Sequence, residues 1–315
     1  MNPLIRNTLF GVAKRVHPYF MGGMLSLFSR KSFGTNVYKK DWDVLVILDT
    51  ARTDAMQRFK HDFEFIEDVD SIWSVGSASA TWYANTFVDE YRDEIENTVL
   101  ITENSHTTRV LRERIFPQEE RDLPFAFTNW STVEAEAFQN IIETWKATEV
   151  DLSAVTSRMV TDTAIQMHRK DSPDRMILHY QRPHSPYRVP AKEAGRDQYE
   201  YELNPFSYIR NGGDREKVVD AYHTDLHYVL SEVELLCRSI DADTIAISAD
   251  HGDGFGEYGV VYSHPIAVPA PEVRRVPWVV TSANNDGEHE PEEVYMKTDN
   301  SKAKAMDQLK ALGYK

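Results

Sequence analysis

The 315-residue sequence predicts an α/β fold: a three-layer sandwich around a mostly parallel central sheet. Three observations carry this. Short continuous apolar runs alternate with longer segments of helical spacing, the pattern of repeated strand–helix units. The runs lack the in–out alternation of a half-exposed strand, so they suit strands buried on both faces. The two segments richest in chemically active side chains, Asp49 onward and Asp250 onward, both follow such a run directly. Open parallel sheets gather their ligands at that end of the strands.

Taken in order, residues 1–40 form a basic amphipathic segment and residues 41–315 a single catalytic domain. Val44–Leu48 is the first buried strand and Thr53–Lys60 a short helix. Phe63–Val69 is β-like, and a small-residue turn at 74–79 opens a helix running through Trp82, Phe87 and Tyr91. Thr98–Thr102 and Arg175–Tyr180 are strands, separated by helical runs at Val133–Trp145 and Val155–Arg169. Residues 181–214, rich in Pro, Tyr, Asn and Gly, read as a long loop of the kind that carries function. Arg215–Ile240 is a long helix and Thr244–Ser248 a strand; a Gly-rich loop spans 250–264, and Val276–Val280 is the last strand. Ser301–Leu312 reads as a terminal helix.

Composition narrows the function. At 41% hydrophobic the chain can bury a sizeable core. A net charge of −15 excludes nucleic acid as a partner, since a polyanion is repelled over most of such a surface. The lone Cys237 cannot form an intramolecular disulfide, so an acidic cytoplasmic protein is expected. No run reaches the roughly 18–20 apolar residues that span a bilayer. Residues 1–40 carry seven Lys and Arg and no acid, which leaves −22 for the remainder by subtraction from −15. Leu4, Ile5, Leu9, Val12, Ala13 and Val16 recur there near helical spacing. The segment reads first as a helix packed on the domain, and second as a peripheral contact with an anionic membrane surface.

Asp250-His251-Gly252 sets a carboxylate beside an imidazole at a strand end, where they can ligate one cation. Taken alone it also reads as a turn, with Asp250 capping amides and Gly252 supplying φ > 0. Asp49 adds a carboxylate at another strand end. Ser77, Ser79 and Thr81 sit at a predicted helix N-terminus, which favours an anion. His184 and His264 place imidazoles in polar loops, and Arg182 and Arg188 are candidate clamps for an anionic group. His223 and His227 are explained by the core face of their helix, and Trp73, Trp82 and Trp278 by the core.

Together these residues resemble a known family. Val46 to Asp54 looks like the first metal motif of the sulfatase-like branch of the alkaline phosphatase superfamily, and Asp250 to Gly259, with the trailing His264, like the second. Pro183-His184-Ser185-Pro186-Tyr187 is similar to its central substrate-site segment. The resemblance implies an alkaline phosphatase-like fold and a metal-dependent hydrolase or transferase of phosphate or sulfate esters. Asp49, Ser79, Asp250, His251 and His264 are then the metal-site residues. Ser79, with Thr81 as alternative nucleophile, and His184 are the catalytic ones.

Two departures refine it. Sulfatases oxidise a Cys or Ser that is followed four residues later by Arg, and none of Ser74, Ser77 or Ser79 has that Arg. Asp49 is followed by Thr50 rather than by a second aspartate, and His251 brings nitrogen, so zinc is expected before manganese or calcium. Gly76 to Thr81 is closer to the nucleophile turn of phosphoethanolamine and phosphoglycerol transferases. The implied partner is an anionic ester, with a glycan or lipid head group suggested by the long loop. A sulfatase with an unmodified nucleophile and a non-catalytic metal- or glycan-binding scaffold are the alternatives.

Overall fold

The computed structural model describes residues 3–147 and 156–292, with side chains from residue 16 onward. Its strands are β1 (Val44–Leu48), β2 (Asp70–Trp73), β3 (Thr98–Thr102), β4 (Asn140–Glu143), β5 (Arg175–Tyr180), β6 (Ala242–Ser248), β7 (Gly254–Glu257), β8 (Val261–Ser263) and β9 (Arg275–Ala283). Seven of them form one sheet in the order β2-β9-β6-β1-β5-β3-β4, and β7 and β8 make a separate hairpin. From β6 to β4 every pairing is parallel. Only β9 runs against its neighbours β6 and β2. The sheet is mostly parallel, as expected.

The helices are α1 (Pro3–Phe28), α2 (Thr53–Arg58), α3 (Ser79–Thr86), α4 (Arg92–Glu96), α5 (Ser157–Asp171), α6 (Val189–Glu193), α7 (Glu200–Leu203), α8 (Pro205–Arg210), α9 (Arg215–Cys237) and α10 (Pro271–Arg274). β1 shows how three layers arise from a period of two. Val44, Val46 and Leu48 join a core with Val160 of α5 and Leu226 of α9. Leu45 and Ile47 join the opposite core with Trp82 and Tyr83 of α3 and Ile95 of α4. Each such fully buried side chain contributes roughly 1.5–3 kcal/mol, so the centre of the sheet is the best-anchored part of the chain.

Register then places the chemistry. Ile47 pairs with Ser248 across β1 and β6, so Asp49 and Asp250 are matched positions just past the carboxyl ends of neighbouring strands. Ile47 also pairs with His179 on β5, which pairs in turn with Thr102 on β3. Four strands thus deliver their ends to one edge.

Several expectations are corrected. Phe63–Val69 is not a strand; β2 starts at Asp70, and Phe63, Phe65, Ile66 and Val69 fill the core from a loop. Val133–Trp145 is not an α-helix; it holds the edge strand β4 between two short 3-10 turns, Ala135–Ala137 and Thr144–Lys146. The long loop carries α6, α7 and α8. Trp73 is 46% exposed rather than core, whereas Trp82 and Trp278 are buried. The terminal helix expected at Ser301–Leu312 lies outside the described residues. Cys237 is buried, which pushes its thiol up to about 12 and makes it structural. His223 and His227 pack edge-on against Phe59, but His223 is half-buried and His227 exposed, so the pair lies at the margin of the core rather than in it.

Candidate metal centre and active site

At the shared strand edge, ligand atoms of Asp49, Asp250 and His251 lie within 4.8 Å of one another, all buried. Each is aimed by a specific contact. Asp250 Oδ1 accepts the backbone amides of His251 at 2.8 Å and Thr50 at 3.3 Å, which leaves Oδ2 inward and without a hydrogen-bond partner. Asp49 Oδ2 accepts Asn104 Nδ2 at 3.0 Å, and its Oδ1 is likewise unpartnered. His251 Nδ1 lies 3.1 Å from the Gly252 carbonyl oxygen. A carbonyl only accepts, so the proton sits on Nδ1 and the lone pair of Nε2 faces the carboxylates.

The electrostatics show whether these donors fit a cation. Burial, and then the Asp250 and Asp253 carboxylates, push the Asp49 carboxyl well above its usual range. Burial, and then His264, hold His251 down at about 3, so its imidazole is neutral. Among the described residues no Lys or Arg forms an ion pair with Asp49 or Asp250. Buried carboxylates without a counter-charge are costly. A divalent cation would satisfy both orphaned oxygens and the imidazole nitrogen together, so the donor set fits one.

The nucleophile turn separates its three hydroxyls by task. Thr81 Oγ1 accepts the amides of Ser77 and Ala78 and donates to the Ala78 carbonyl at 2.8 Å, closing the N-terminus of α3. Ser77 Oγ accepts the Ala267 amide at 2.8 Å. Ser79, in the first turn of α3, points its Oγ to Asp49 Oδ2 at 3.5 Å and His251 Nε2 at 3.4 Å. Gly76 is required because a Cβ there would meet the Trp82 amide nitrogen at 2.4 Å. Gly252 does not take a left-handed φ; a Cβ there would lie 2.2 Å from the Glu272 carbonyl oxygen.

His264 stands beside the trio rather than in it. Its Nδ1 is 2.7 Å from Asp253 Oδ1, and its ring centroid is 4.4 Å from that of His251 and 5.2 Å from that of His184. Burial, then His264 and His251, hold His184 well below the usual imidazole range, so it too is neutral. Both rings line a cleft of about 1290 Å³ that opens over Ser79 and includes Arg109, Arg121, Arg188 and Arg210. Four guanidiniums there against the one lining carboxylate, Glu120, which pairs with Arg109 at 2.7 Å, make the cleft the natural seat for an anion in a chain of net −15. Arg182 is not part of it: it donates to the His184 and Pro186 carbonyls and to Asp225, so it braces the loop.

The sequence reading missed several members. Asn104 follows β3, and His179 lies on β5 with Nδ1 3.0 Å from the Tyr83 hydroxyl and Nε2 3.8 Å from Asp250 Oδ2. The same strand-end rule that picked Asp49 and Asp250 points to both. Thr50 has φ 69°, rare for a β-branched residue, and Tyr222 on α9 holds this turn by donating to the Thr50 carbonyl and accepting the Arg52 amide. No sequence signal marks that conformation.

No family model and no curated protein matches the chain. Solved structures do. It is similar to the C-terminal periplasmic domain of the phosphoethanolamine transferase EptC from Campylobacter jejuni, at 18% identity and TM-score 0.48, over 76% of this chain and 78% of that one. The corresponding EptC domain from Escherichia coli, a complex with Zn, matches at 10% identity and TM-score 0.47, over 80% and 76%. A putative sulfatase from Bacteroides thetaiotaomicron matches at 10% identity and TM-score 0.48, over 80% and 66%. The likeness is one of fold alone, to phosphoethanolamine transferase domains and a putative sulfatase. It also corrects the cytoplasmic expectation, because the matched transferase domains are periplasmic. A lone cysteine excludes an internal disulfide but fixes no compartment.

Proposed function

We propose that the chain is a metal-dependent hydrolase or transferase of phosphate or sulfate esters, acting through a covalent ester on Ser79. The observation that carries this is the Ser79 hydroxyl, 3.5 Å from Asp49 and 3.4 Å from His251 under an arginine-lined cleft. Asp49, Asp250 and His251, with Ser79 Oγ, would hold one divalent ion. The mixed oxygen and nitrogen donors favour zinc over manganese, and calcium least. Such an ion supplies Lewis acidity that lowers the hydroxyl pKa and offsets developing negative charge.

The chain's own residues do the rest. Ser79 Oγ loses its proton to solvent in the cleft and forms the bond to phosphorus or sulfur. The bond to the ester oxygen breaks in line, and the departing alcohol takes up a proton. The N-terminus of α3 favours the anionic group beside Ser79. His184 and His264, which line the cleft, contact the transferred group, and Arg109 and Arg188 hold the substrate's anionic part. Water or an acceptor hydroxyl then attacks the same centre and frees Ser79. The substrate is an anionic ester small enough, or extended enough, to reach the cleft floor; a glycan or lipid head group fits this opening.

The test is to expose the metal-loaded protein to phosphomonoester, phosphodiester, phosphonate and aryl sulfate substrates, quench in acid, and map the modified peptide. A phosphoryl or sulfuryl group on Ser79 is expected. Modification confined to Thr81, or no turnover of any of the four, contradicts the reading. Turnover of aryl sulfate alone would assign sulfate esters.

A further inference from the structure

We infer that α1 and the segment 125–127 form one surface that docks on a lipid bilayer carrying anionic head groups. The helix is apolar on two opposite faces. Met21, Leu25 and Phe28 are buried on one, against Ala78, Ile266 and Ala267. Val16, Tyr19, Phe20 and Leu27 lie on the other, exposed at 56%, 57%, 44% and 48%. An ordinary surface helix shows water a polar face instead. Gly23, within the exposed stripe, has open space where a Cβ would be.

A second element extends the ridge. Phe127 is 71% exposed and Phe125 37%. Their rings stack at 5.9 Å, and Tyr19 approaches Phe125 at 6.4 Å. The segment is tied to the helix: the Phe127 amide donates to Ser26 Oγ at 2.8 Å, the Asn129 amide to Ser29 Oγ at 2.9 Å, and Arg30 to the Phe127 carbonyl. Six of the 13 exposed large hydrophobics among the described residues are in this one place, so they form a patch rather than scatter.

Charge selects the occupant. Four of the six side chains belong to the only stretch of the chain rich in cations and free of acids, residues 1–40, with Arg30 and Lys31 exposed at its end. Aromatic rings and cations of one sign match the interface of an anionic bilayer. A second copy of this chain, at −15, is disfavoured at long range. Because the buried face of α1 packs on Ala78 and Ile266, which line the cleft, docking would hold the cleft mouth beside the bilayer. That last consequence rests on the proposed function; the docking does not.

The test is flotation of the full chain with phosphatidylglycerol/phosphatidylcholine vesicles and with phosphatidylcholine alone. Binding to the anionic vesicles is expected, weakened at least about tenfold without the anionic lipid or in high salt. Phe20→Ser with Phe127→Ser should weaken it by about tenfold or more, and Lys31→Glu, which touches no core, should weaken it in the same direction. Tyr258→Ser, an equally exposed aromatic on the hairpin, should change nothing. No binding to anionic vesicles, or binding unaffected by both the double variant and Lys31→Glu, overturns the inference. So does a double variant whose only effect is a smaller sedimentation coefficient, which would assign the patch to a second copy. The readout is vesicle binding, so failure of catalysis leaves it intact.

Discussion

Two neighbourhoods of this molecule bury carboxylates, and they treat them oppositely. Under the 181–210 segment, Asp225 accepts Arg182 at 3.1 Å and the amides of Val189 and Arg188, while Glu202 accepts Arg196 through two bonds and the Tyr199 amide. Every oxygen there has a partner, and the result is a braced loop. At the end of β1 and β6, Asp49 Oδ1 and Asp250 Oδ2 have none, although both residues are fully buried. A fold tolerates such groups only where something outside the chain completes them. The contrast teaches that burial of charge is not the mark of a site; burial without compensation is.

The contrast is broken most sharply by exchanging the two effects. Asp250→Asn should lower turnover by at least about 10³-fold while leaving the denaturation midpoint unchanged or higher, since it removes an unpaired charge. Asp225→Ala should do the reverse, costing about 3 kcal/mol because it strands the Arg182 guanidinium. Activity assays and urea denaturation of both variants check this; equal stability losses would erase the distinction. The nucleophile turn sharpens it next. Ser79→Ala should abolish the covalent ester with stability within about 0.5 kcal/mol, whereas Thr81→Val should cost about 1 kcal/mol through the lost cap and retain the ester.

The smallest effect concerns Glu103, which lies between the two regions. It accepts the Thr156 hydroxyl and, at 2.8 Å, the Gln181 amide. Burial raises its carboxyl above the ordinary range despite these bonds. A raised folded-state pKa favours the protonated form, so its contribution is full below the unfolded value and declines as pH rises through the folded one. Denaturation midpoints between about pH 4 and pH 8 should therefore fall less steeply for Glu103→Gln than for the parent chain. Parallel curves would remove Glu103 from the account.

What the sequence disclosed follows the same physics. The strands β1, β3, β5 and β6 were legible because burial on both faces demands unbroken apolar runs such as Val44–Leu48. β4 was not, since an edge strand supported by Ile141 and Ile142 alone has too little pattern to compete with helical spacing around it. α6 to α8 are each too short to show a period. Asp49, Asp250, His251 and Ser79 could be picked out by type and position, and they converge. That β1 and β6 are neighbours, which is why they converge, is a matter of strand order and was invisible. Asn104, His179 and Tyr222 serve by where the fold puts them, and only placement revealed them.

The central claim is that two sheet ends hold one ion within reach of Ser79. Calorimetric titration of zinc into the chelator-treated full chain tests it most directly, with Asp250→Asn and Asp225→Ala titrated in parallel. Saturation at one tight equivalent, lost in Asp250→Asn and kept in folded Asp225→Ala, is the predicted result. Absence of saturable binding with zinc and manganese alike, or undiminished binding in Asp250→Asn, would contradict it.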